Sequence, residues 1–262
     1  MSDSDEELST NLFQEPDNFF KPAPEPTLAT HTLLSGKELK LQLVGHNPLW
    51  GHLLWNAGRT ISDYLEENAS ALLSGRSVLE LGAGAGLPGI VSAIKGATTV
   101  VVTDYPDPDL IENITHNINT CDEIVNKSNI LAAGHLWGAP VEDLLMLLPE
   151  ESRSKKFQTV ILADLLFNHS EHAKLIKSVQ QTLQQDANAC ALVFFTPYRP
   201  WLLEKDLAFF DLARENQFQV TKIFEKVMDK VLFEKDRGVG RVTQTNCLWL
   251  RVEMDHSMMA ID

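Results

Sequence analysis

A glycine-rich loop between an apolar strand and a helix is the first feature of this sequence that could bind a ligand. The loop reads Glu80-Leu81-Gly82-Ala83-Gly84-Ala85-Gly86 and follows the apolar residues Val78 and Leu79. Glycines have no Cβ and let the backbone come close to a ligand, and the helix after the loop places the positive end of its dipole at the same point. The stretch therefore predicts a binding loop at the end of a buried strand.

Two registers of this loop predict two different ligands. Residues 84–89 satisfy the G-x-G-x-x-G pattern of dinucleotide-binding folds. In that pattern the first glycine makes the turn directly after the strand, and here the turn already begins at Gly82. The better description is an acid, Glu80, followed by three glycines at alternate positions. A carboxylate in the pocket repels a pyrophosphate but suits a ligand with an ammonium and a sulfonium group, and S-adenosylmethionine is such a ligand.

A second acid ends the next predicted strand. Asp104 closes the strand predicted over 99–104, and a carboxylate at this point of an α/β fold can accept hydrogen bonds from ribose hydroxyls. Asp104 therefore indicates an adenosine-containing ligand without separating S-adenosylmethionine from a dinucleotide. The alternative is that Asp104 is a helix N-cap ahead of Pro106 and Asp107.

Strands and helices alternate along most of the chain. The predicted strands cover 77–82, 99–104, 129–133, 158–164 and 190–196, and the predicted helices cover 87–95, 107–120, 170–184 and 201–216. This alternation predicts a parallel, doubly wound sheet with helices on both faces. We therefore expect an α/β fold in which the carboxyl ends of the strands meet at one edge of the sheet.

Both ends of this region depart from the alternation. Residues 219–224 and 243–252 are predicted strands with no helix between them, so they are expected to pair antiparallel at one sheet edge, with a loop over 227–241. Near the start of the chain, Ser35-Gly36-Lys37 lies between two strand-like stretches and predicts a hairpin. Apolar residues at helical spacing then predict a helix that ends near Asn68.

Composition predicts one domain with an acidic tail. Of the 262 residues, 44% are hydrophobic, which is enough for a single α/β domain over 27–262. Residues 1–26 are rich in acids and prolines and are expected to form a disordered tail. The cysteines Cys121, Cys190 and Cys247 lie far apart and are expected to be reduced thiols.

The net charge indicates which acceptors the protein can bind, and the amino-terminal residues and apolar runs indicate its location. Lys and Arg number 22 against 36 Asp and Glu, a formal net charge of −14, which argues against a nucleic-acid acceptor, since binding one normally needs clustered positive charge. The amino-terminal residues are acidic where a secretory signal is basic, and no apolar run approaches the roughly 18 residues of a membrane span. We therefore expect a cytoplasmic protein without membrane contact, and a monomer.

Four short motifs together resemble one enzyme family. They are Glu80-Leu81-Gly82-Ala83-Gly84-Ala85-Gly86, Thr103-Asp104, His135-Leu136-Trp137-Gly138 and Ala163-Asp164-Leu165-Leu166-Phe167. The combination is similar to the seven-stranded, Rossmann-like methyltransferases that use S-adenosylmethionine, and within these to the protein lysine methyltransferases that modify translation factors and chaperones. That family carries an acid-x-x-aromatic motif, matched by Asp164-x-x-Phe167, and a Trp-Gly pair, matched by Trp137-Gly138. The resemblance covers residues 33–252.

The resemblance implies a cofactor and a partner. Within the family the chain is similar to the fungal enzymes that methylate the amino-terminal glycine and the adjacent lysine of elongation factor 1-alpha. It therefore implies S-adenosylmethionine as the cofactor and a protein, elongation factor 1-alpha, as the acceptor. The alternative within the same chemistry is a small-molecule N-methyltransferase of the nicotinamide type. From other classes, an NAD-dependent oxidoreductase would use the 84–89 register of the loop, and a binding module would keep the fold without turnover.

Carried over position by position, the resemblance also implies where the cofactor lies. The adenine would lie near Trp137 and the backbone of Ala163, the ribose at Asp104, and the methionine end on the loop 82–84. The full set of predicted cofactor-binding residues is Trp55, Glu80, Gly82, Ala83, Gly84, Asp104, Trp137 and Ala163.

The acceptor is expected at the carboxyl end of the strand predicted over 158–164. Asp164 leaves this strand at the edge where open α/β sheets place ligands, so it is expected to orient the incoming amine and to share a proton relay with Asn168. Its alternative role is to satisfy backbone donors at the strand end. Candidates for the walls of the acceptor channel, with core packing as the alternative, are Trp50, Phe167 and Tyr198.

No metal site is predicted. His169 and His172 have the i, i+3 spacing of a metal-binding pair, but no third ligand is in sight, so they are expected to mark an exposed helix start. Methyl transfer from a sulfonium uses an electrophile that is already activated, so the protein mainly has to align the reacting groups and exclude water.

Overall fold

The structure is a computed structural model that describes residues 24–45, 47–48, 50–153, 155–228 and 245–254. The acidic tail predicted over 1–26 lies outside the described residues as far as residue 23. Most of the loop predicted over 227–241 also lies outside them, since the strand before it continues to Met228.

A hairpin and a helix come first, and alternating strands and helices follow. The strands are β1 (Thr27–Thr32), β2 (Glu38–Leu43), β3 (Ser77–Leu81), β4 (Thr99–Asp104), β5 (Ile130–Gly134), β6 (Thr159–Ala163), β7 (Cys190–Phe195), β8 (Phe218–Met228) and β9 (Thr245–Met254). The α-helices are α1 (Asn56–Glu67), α2 (Ala69–Leu72), α3 (Leu87–Ile94), α4 (Pro108–Thr120), α5 (Glu142–Met146), α6 (Glu150–Arg153), α7 (His172–Thr182) and α8 (Leu203–Glu215). Helices α2, α5 and α6 were not predicted, because four or five residues are too few to show a helical period. Among the described residues, none of the helices has the length and apolar character needed to cross a membrane.

Seven strands of the described residues form one sheet, in the order β5-β4-β3-β6-β7-β9-β8. The strands from β5 to β7 run parallel, and β9 pairs antiparallel with both β7 and β8. The predictions of a mostly parallel sheet, an antiparallel carboxyl-terminal edge and an amino-terminal hairpin are therefore confirmed. The order of strands reverses between β3 and β6, and open α/β sheets bind ligands in the crevice at the carboxyl ends of the strands at such a reversal.

Helices cover both faces of the sheet because its central strands are apolar on both sides. All residues of β3 and β7 are buried, as expected for parallel strands between two layers of helices. One core cluster contains Val78 with residues of α1, α3 and α4, and the other contains Leu79 and Leu81 with residues of α7 and α8. Since side chains alternate along a strand, Glu80 lies on the face of Val78, toward α1 and α3.

Buried polar contacts fix the hairpin to the carboxyl-terminal half of α1. Glu66 of α1 accepts a hydrogen bond from the Leu34 N–H (3.0 Å) and forms an ion pair with Lys95 (2.7 Å). His31 of β1 is buried, its Nε2 lies 3.5 Å from Asp63 Oδ1, and burial lowers its pKa. This end of α1 is therefore anchored by contacts that do not involve the cavity described next.

Candidate functional site

A cavity of about 380 Å³ opens at the carboxyl ends of β3, β4 and β6, where the order of strands reverses. Its size falls within the range of small-molecule sites, roughly 300–1,000 Å³. Of the predicted site residues, those that line the cavity are Trp50, Trp55, Glu80, Gly82, Ala83, Gly84, Asp104, Trp137, Ala163, Asp164, Phe167 and Asn168. Tyr198 is the predicted residue that does not line it.

One wall of the cavity contains residues that the sequence did not mark as part of a site. Pro48, Gly51, Leu53, Leu54 and Gly58 line the cavity from the stretch before and at the start of α1. These residues are apolar or glycine and belong to no motif that indicates chemistry. The two tryptophans of the same stretch, Trp50 and Trp55, were the signal that could have identified all of it as a wall of the cavity.

The loop after β3 needs glycine at two positions for different reasons. Gly82 has a φ of +60°, which disfavours any residue with a Cβ, and a Cβ placed there would lie 2.6 Å from Leu165 Cδ2 and 3.0 Å from the Trp137 ring, so these side chains would have to shift. Gly84 has a φ of +58°, but an added Cβ would meet no heavy atom within 4 Å. At Gly84 it is therefore the left-handed backbone alone that favours glycine.

The amide groups of this loop already donate hydrogen bonds within the protein. The Ala83 N–H donates to the Thr103 carbonyl (2.9 Å), the Gly84 N–H to Asp104 Oδ2 (2.6 Å), and the Gly86 N–H to the Ala83 carbonyl (2.9 Å). A loop that binds pyrophosphate directs such N–H groups at the ligand. The arrangement therefore lacks the donors that a dinucleotide would need from these three amides.

Glu80 is buried beside this loop and accepts a hydrogen bond from helix α3. It is 1% exposed, and its Oε2 lies 2.7 Å from the Gly89 N–H in the first turn of α3. Burial raises the pKa of Glu80 to about 8, opposed by the bond from Gly89 and reinforced by the nearby Asp104. The predicted role of Glu80 at the charged end of the cofactor stays a prediction, and its carboxyl group also supports the helix that follows the loop.

Asp104 lines the cavity at the end of β4. Its Oδ2 accepts the Gly84 N–H and its Oδ1 accepts the Tyr105 N–H (2.7 Å), while burial raises its pKa. The alternative role as a helix cap is taken by Asp107, which accepts the Asp109 N–H (3.0 Å) at the start of α4. Asp104 thus joins the glycine loop to the end of β4, in the position predicted for a ribose-binding acid.

Trp137 and Ala163 border the cavity on the side of β5 and β6. The turn that carries Trp137 is fixed to α7 through Ser178, whose hydroxyl accepts the Gly138 N–H (2.8 Å) and lies 3.1 Å from His135 Nε2. His135 is buried, which lowers its pKa. The predicted place of these residues near an adenine stays a prediction that is compatible with their position.

Asp164 lies directly after β6 and is 6% exposed. It has a φ of +57°, which is uncommon outside glycine. Its Oδ1 accepts the Thr196 N–H (2.6 Å), and its Oδ2 accepts the Ala57 N–H (2.9 Å) and the Tyr198 hydroxyl (3.2 Å). Burial raises the pKa of Asp164 to about 7 although these bonds lower it. The alternative role predicted for Asp164, to satisfy backbone donors, is thus present, and its role toward an amine stays a prediction.

Aromatic rings form the mouth of the cavity. Trp55 lies parallel to Phe167 with ring centroids 6.3 Å apart, and it contacts Trp50 edge-on at 6.3 Å. Trp50 is 44% and Phe167 39% exposed, so both rings face solvent at the opening. Tyr198 contacts Trp55 edge-on at 5.2 Å and hydrogen-bonds Asp164, but it does not line the cavity. Trp50 and Phe167 line the cavity, and their predicted role as walls of an acceptor channel stays a prediction.

The segment after Asp164 holds the remaining predicted residues. Asn168 lines the cavity, and its Oδ1 accepts the Ser170 hydroxyl (3.0 Å). His169 donates to Asp206 (2.6 Å) and His172 to the Leu166 carbonyl (2.9 Å). His172 is 6% exposed, so the prediction of an exposed helix start is wrong for this residue, because its ring closes the loop onto α7.

Comparison with known sequences gives one family and close relatives. The family profile described as lysine methyltransferase matches residues 34–216. A protein of Aspergillus fumigatus named protein N-terminal and lysine N-methyltransferase is 55% identical over 229 residues, which cover 87% of this chain and 88% of that protein. A Schizosaccharomyces pombe protein of the same name is 42% identical over 249 residues, covering 94% and 95%.

Solved structures share the fold at low identity. A Streptococcus mutans protein assigned as an S-adenosylmethionine-dependent methyltransferase superposes with a TM-score of 0.55 at 14% identity, covering 88% of this chain and 56% of that one. A protein assigned as a methyltransferase and complexed with S-adenosylhomocysteine gives a TM-score of 0.53 at 12% identity, covering 88% and 57%. These similarities confirm the predicted Rossmann-like fold.

Proposed function

The chain belongs to the lysine methyltransferase family, and on this premise we propose that it methylates the amino-terminal α-amine and an adjacent lysine of elongation factor 1-alpha. The name of its relatives, protein N-terminal and lysine N-methyltransferase, supports both kinds of acceptor amine. The resemblance found in the sequence supports elongation factor 1-alpha as the acceptor protein. The observation that carries the proposal is a single cavity in which the buried acid Glu80 and the acid Asp104 at the end of β4 occur together with an exposed aromatic mouth.

The cavity residues fit S-adenosylmethionine, the cofactor of this family. When bound, it supplies an electrophilic methyl group on a positively charged sulfonium. Glu80 is suited to the positive charges of the methionine end and Asp104 to the ribose hydroxyls, with Trp137 and Ala163 beside the adenine and Trp55 at the border. A pyrophosphate would be repelled by the acid Glu80, and the neighbouring loop N–H groups already donate hydrogen bonds within the protein. Both facts count against the NAD-dependent alternative.

The acceptor side has to hold a neutral amine in line with the methyl group. An α-amine has a solution pKa near ~7.7–8.0 and is partly neutral at cellular pH, whereas lysine, near ~10.4, must lose its proton on binding. The exposed faces of Trp50 and Phe167 can attract the ammonium form to the mouth by cation–π contact. We place Asn168, which follows Phe167 and lines the cavity, beside the amine.

A small-molecule acceptor of the nicotinamide type is the weaker alternative. A small acceptor is best bound in a closed pocket, whereas a protein terminus needs an opening that its chain can enter. The partial exposure of Trp50 and Phe167 at the mouth favours the second case. The formal net charge of −14 also suits a basic acceptor segment.

Methyl transfer from labelled S-adenosylmethionine to a synthetic amino-terminal peptide of elongation factor 1-alpha tests the proposal. We expect label on the unmodified peptide, label on lysine alone when the α-amine is acetylated, and label on the α-amine alone when the lysine is replaced by arginine. Nicotinamide serves as the small-molecule comparison. Label on nicotinamide with none on the peptide would refute a protein acceptor.

We also propose a cytoplasmic, monomeric enzyme, as the acidic composition and the expected acceptor suggest. Size-exclusion chromatography with light scattering measures the mass in solution. A mass of 29.3 kDa is expected for the single chain, and a stable dimer would contradict the second part of this proposal.

A further inference from the structure

The carboxylate of Asp164 is already occupied by the protein. It accepts hydrogen bonds from the Thr196 N–H, the Ala57 N–H and the Tyr198 hydroxyl, at distances of 2.6, 2.9 and 3.2 Å. The Thr196 side chain donates a further bond. A carboxylate offers roughly four acceptor positions. An incoming amine would therefore have to displace one of these donors before it could bond to Asp164.

The bond from Ala57 caps helix α1. Trp55 precedes the first residue of α1 and makes no side-chain hydrogen bond to the first turn. The first-turn amides are satisfied from distant parts of the chain instead: the Ala57 N–H by Asp164, and the Asn56 N–H by the Tyr198 hydroxyl at 3.4 Å. A side-chain acceptor at this position fixes the start of a helix. Asp164 and Tyr198 therefore replace the capping residue that α1 lacks in its own sequence.

The capped segment is a wall of the cavity. Residues between 50 and 58, which we call the α1 entry, contribute Trp50, Gly51, Leu53, Leu54, Trp55 and Gly58 to the lining. The ring of Trp55 lies between Phe167 and Tyr198, parallel to the first and edge-on to the second. The bonds to Asp164 thus determine where the α1 entry, and the Trp55 ring within it, stands relative to the cofactor.

The backbone conformation of Asp164 is consistent with a role in holding the start of α1. A φ of +57° at a residue other than glycine costs free energy and persists only where the surroundings enforce it. Here the Asp164 N–H donates to the Phe194 carbonyl (2.7 Å), and the carboxylate reaches both the end of β7 and the start of α1. The residue joins three elements at the rim of the cavity.

We propose that Asp164 is a positioning residue, which together with Tyr198 caps α1 and holds the α1 entry against the cofactor, and that it does not contact the acceptor amine. The inference rests on the proposed function, because it concerns the same cavity. It replaces the amine-orienting role predicted for Asp164 and leaves Asn168 and Glu171 as the polar side chains that line the cavity after Phe167.

The test compares Asp164→Asn and Tyr198→Phe with the control Asp206→Asn. Asp206 is a buried aspartate of α8, 5% exposed, that bonds His169 and not the start of α1. Three quantities are measured for each full-length variant: the Kd for S-adenosylhomocysteine by calorimetry, turnover of the acceptor peptide at saturating S-adenosylmethionine, and amide hydrogen exchange over residues 55–58.

We expect Asp164→Asn to weaken S-adenosylhomocysteine binding about tenfold and to accelerate exchange at Asn56 and Ala57, since an amide group cannot accept from all of these donors. Tyr198→Phe, which removes only the hydroxyl, should act in the same direction by about threefold. Asp206→Asn should leave both the Kd for S-adenosylhomocysteine and the exchange at Asn56 and Ala57 at wild-type values.

The inference is overturned if Asp164→Asn lowers turnover at saturating cofactor while the Kd and the exchange stay at wild-type values, because the carboxylate then acts on the acceptor. If Asp164→Asn does not fold, Tyr198→Phe decides by the same two quantities. A wild-type protein that binds no S-adenosylhomocysteine would refute the proposed function instead.

Discussion

Replacing Glu80 with glutamine should make the protein without cofactor more stable and weaken its binding of S-adenosylmethionine. Glu80 is 1% exposed, and burial raises its pKa from 4.5 to about 8. At neutral pH the folded protein therefore holds a neutral side chain that the unfolded chain would ionise. Glutamine resembles the neutral acid in shape, has a donor and an acceptor side, and can still accept the Gly89 N–H.

The sign and the size of the effect follow from the linkage between ionisation and folding. The raised pKa means that the contribution of Glu80 to stability is fully present below its unfolded pKa of 4.5 and is lost as the pH rises through about 8. Between pH 4.5 and pH 7, a span of about 2.5 pH units, the free energy of unfolding falls by about 3 kcal/mol. Glu80→Gln escapes this loss, so its Tm should lie roughly 6–12 °C above that of the wild type at pH 7 and near it at pH 4.5.

Thermal unfolding followed by circular dichroism across this pH range is the assay, and Glu66→Gln is the control. Glu66 is also buried, at 7%, but it pairs with Lys95, so the same substitution removes an ion pair and should lower the Tm at pH 7. Calorimetry measures the binding of S-adenosylmethionine over the same range: the affinity should rise in the wild type as Glu80 ionises toward pH 8, and the rise should be smaller in Glu80→Gln, where Asp164 still titrates near pH 7. A Glu80→Gln protein that is less stable at pH 7, or a stability difference that does not change with pH, would refute the reasoning.

Three further substitutions separate the parts of the site. Gly84→Ala should cost about 1–2 kcal/mol in stability, measured by urea unfolding, because the φ of +58° is unfavourable for alanine although space is free; an unchanged midpoint would contradict this. Asp104→Asn should weaken S-adenosylhomocysteine binding about tenfold in calorimetry, since it loses acceptor capacity toward the Gly84 N–H and the ligand. Phe167→Ala should raise the KM for the acceptor peptide more than the Kd for S-adenosylhomocysteine, because the ring is exposed at the mouth; the reverse order would place Phe167 on the cofactor side.

The architecture could be predicted because its signals are local. Apolar runs, glycine turns and helical spacing each act over a few residues, and the antiparallel edge followed from the missing helix between the last two strands. The register of the glycine loop was also readable, since the position of Gly82 relative to the strand end is a local property.

The details of the site could not be predicted because they depend on contacts between distant residues. Tyr198 was expected to line the channel, but its hydroxyl reaches back to Asp164, 34 positions earlier in the chain. His172 was expected to be exposed, but it closes the loop onto the Leu166 carbonyl. The wall before α1 carries no chemical motif, so only the folded chain shows that Leu53 and Leu54 face the cavity.

Two helices that border the cavity share one arrangement. Neither α1 nor α3 has a side-chain cap in its own sequence, since Trp55 and Gly86 occupy the capping positions. Each is capped instead by a buried acid that follows or belongs to a central strand: α1 by Asp164, 107 positions away, and α3 by Glu80, nine positions away.

The helix ends and the burial act on these acids in opposite directions. The amino-terminal end of a helix favours a carboxylate, whereas burial favours the neutral acid, and the balance leaves the pKa of Asp164 at about 7 and that of Glu80 at about 8. A positive charge in the cavity shifts both acids toward the carboxylate, which is the stronger acceptor for the helix N–H groups. We therefore expect a cationic ligand in the cavity to strengthen the hydrogen bonds from the Gly89 N–H to Glu80 and from the Ala57 N–H to Asp164.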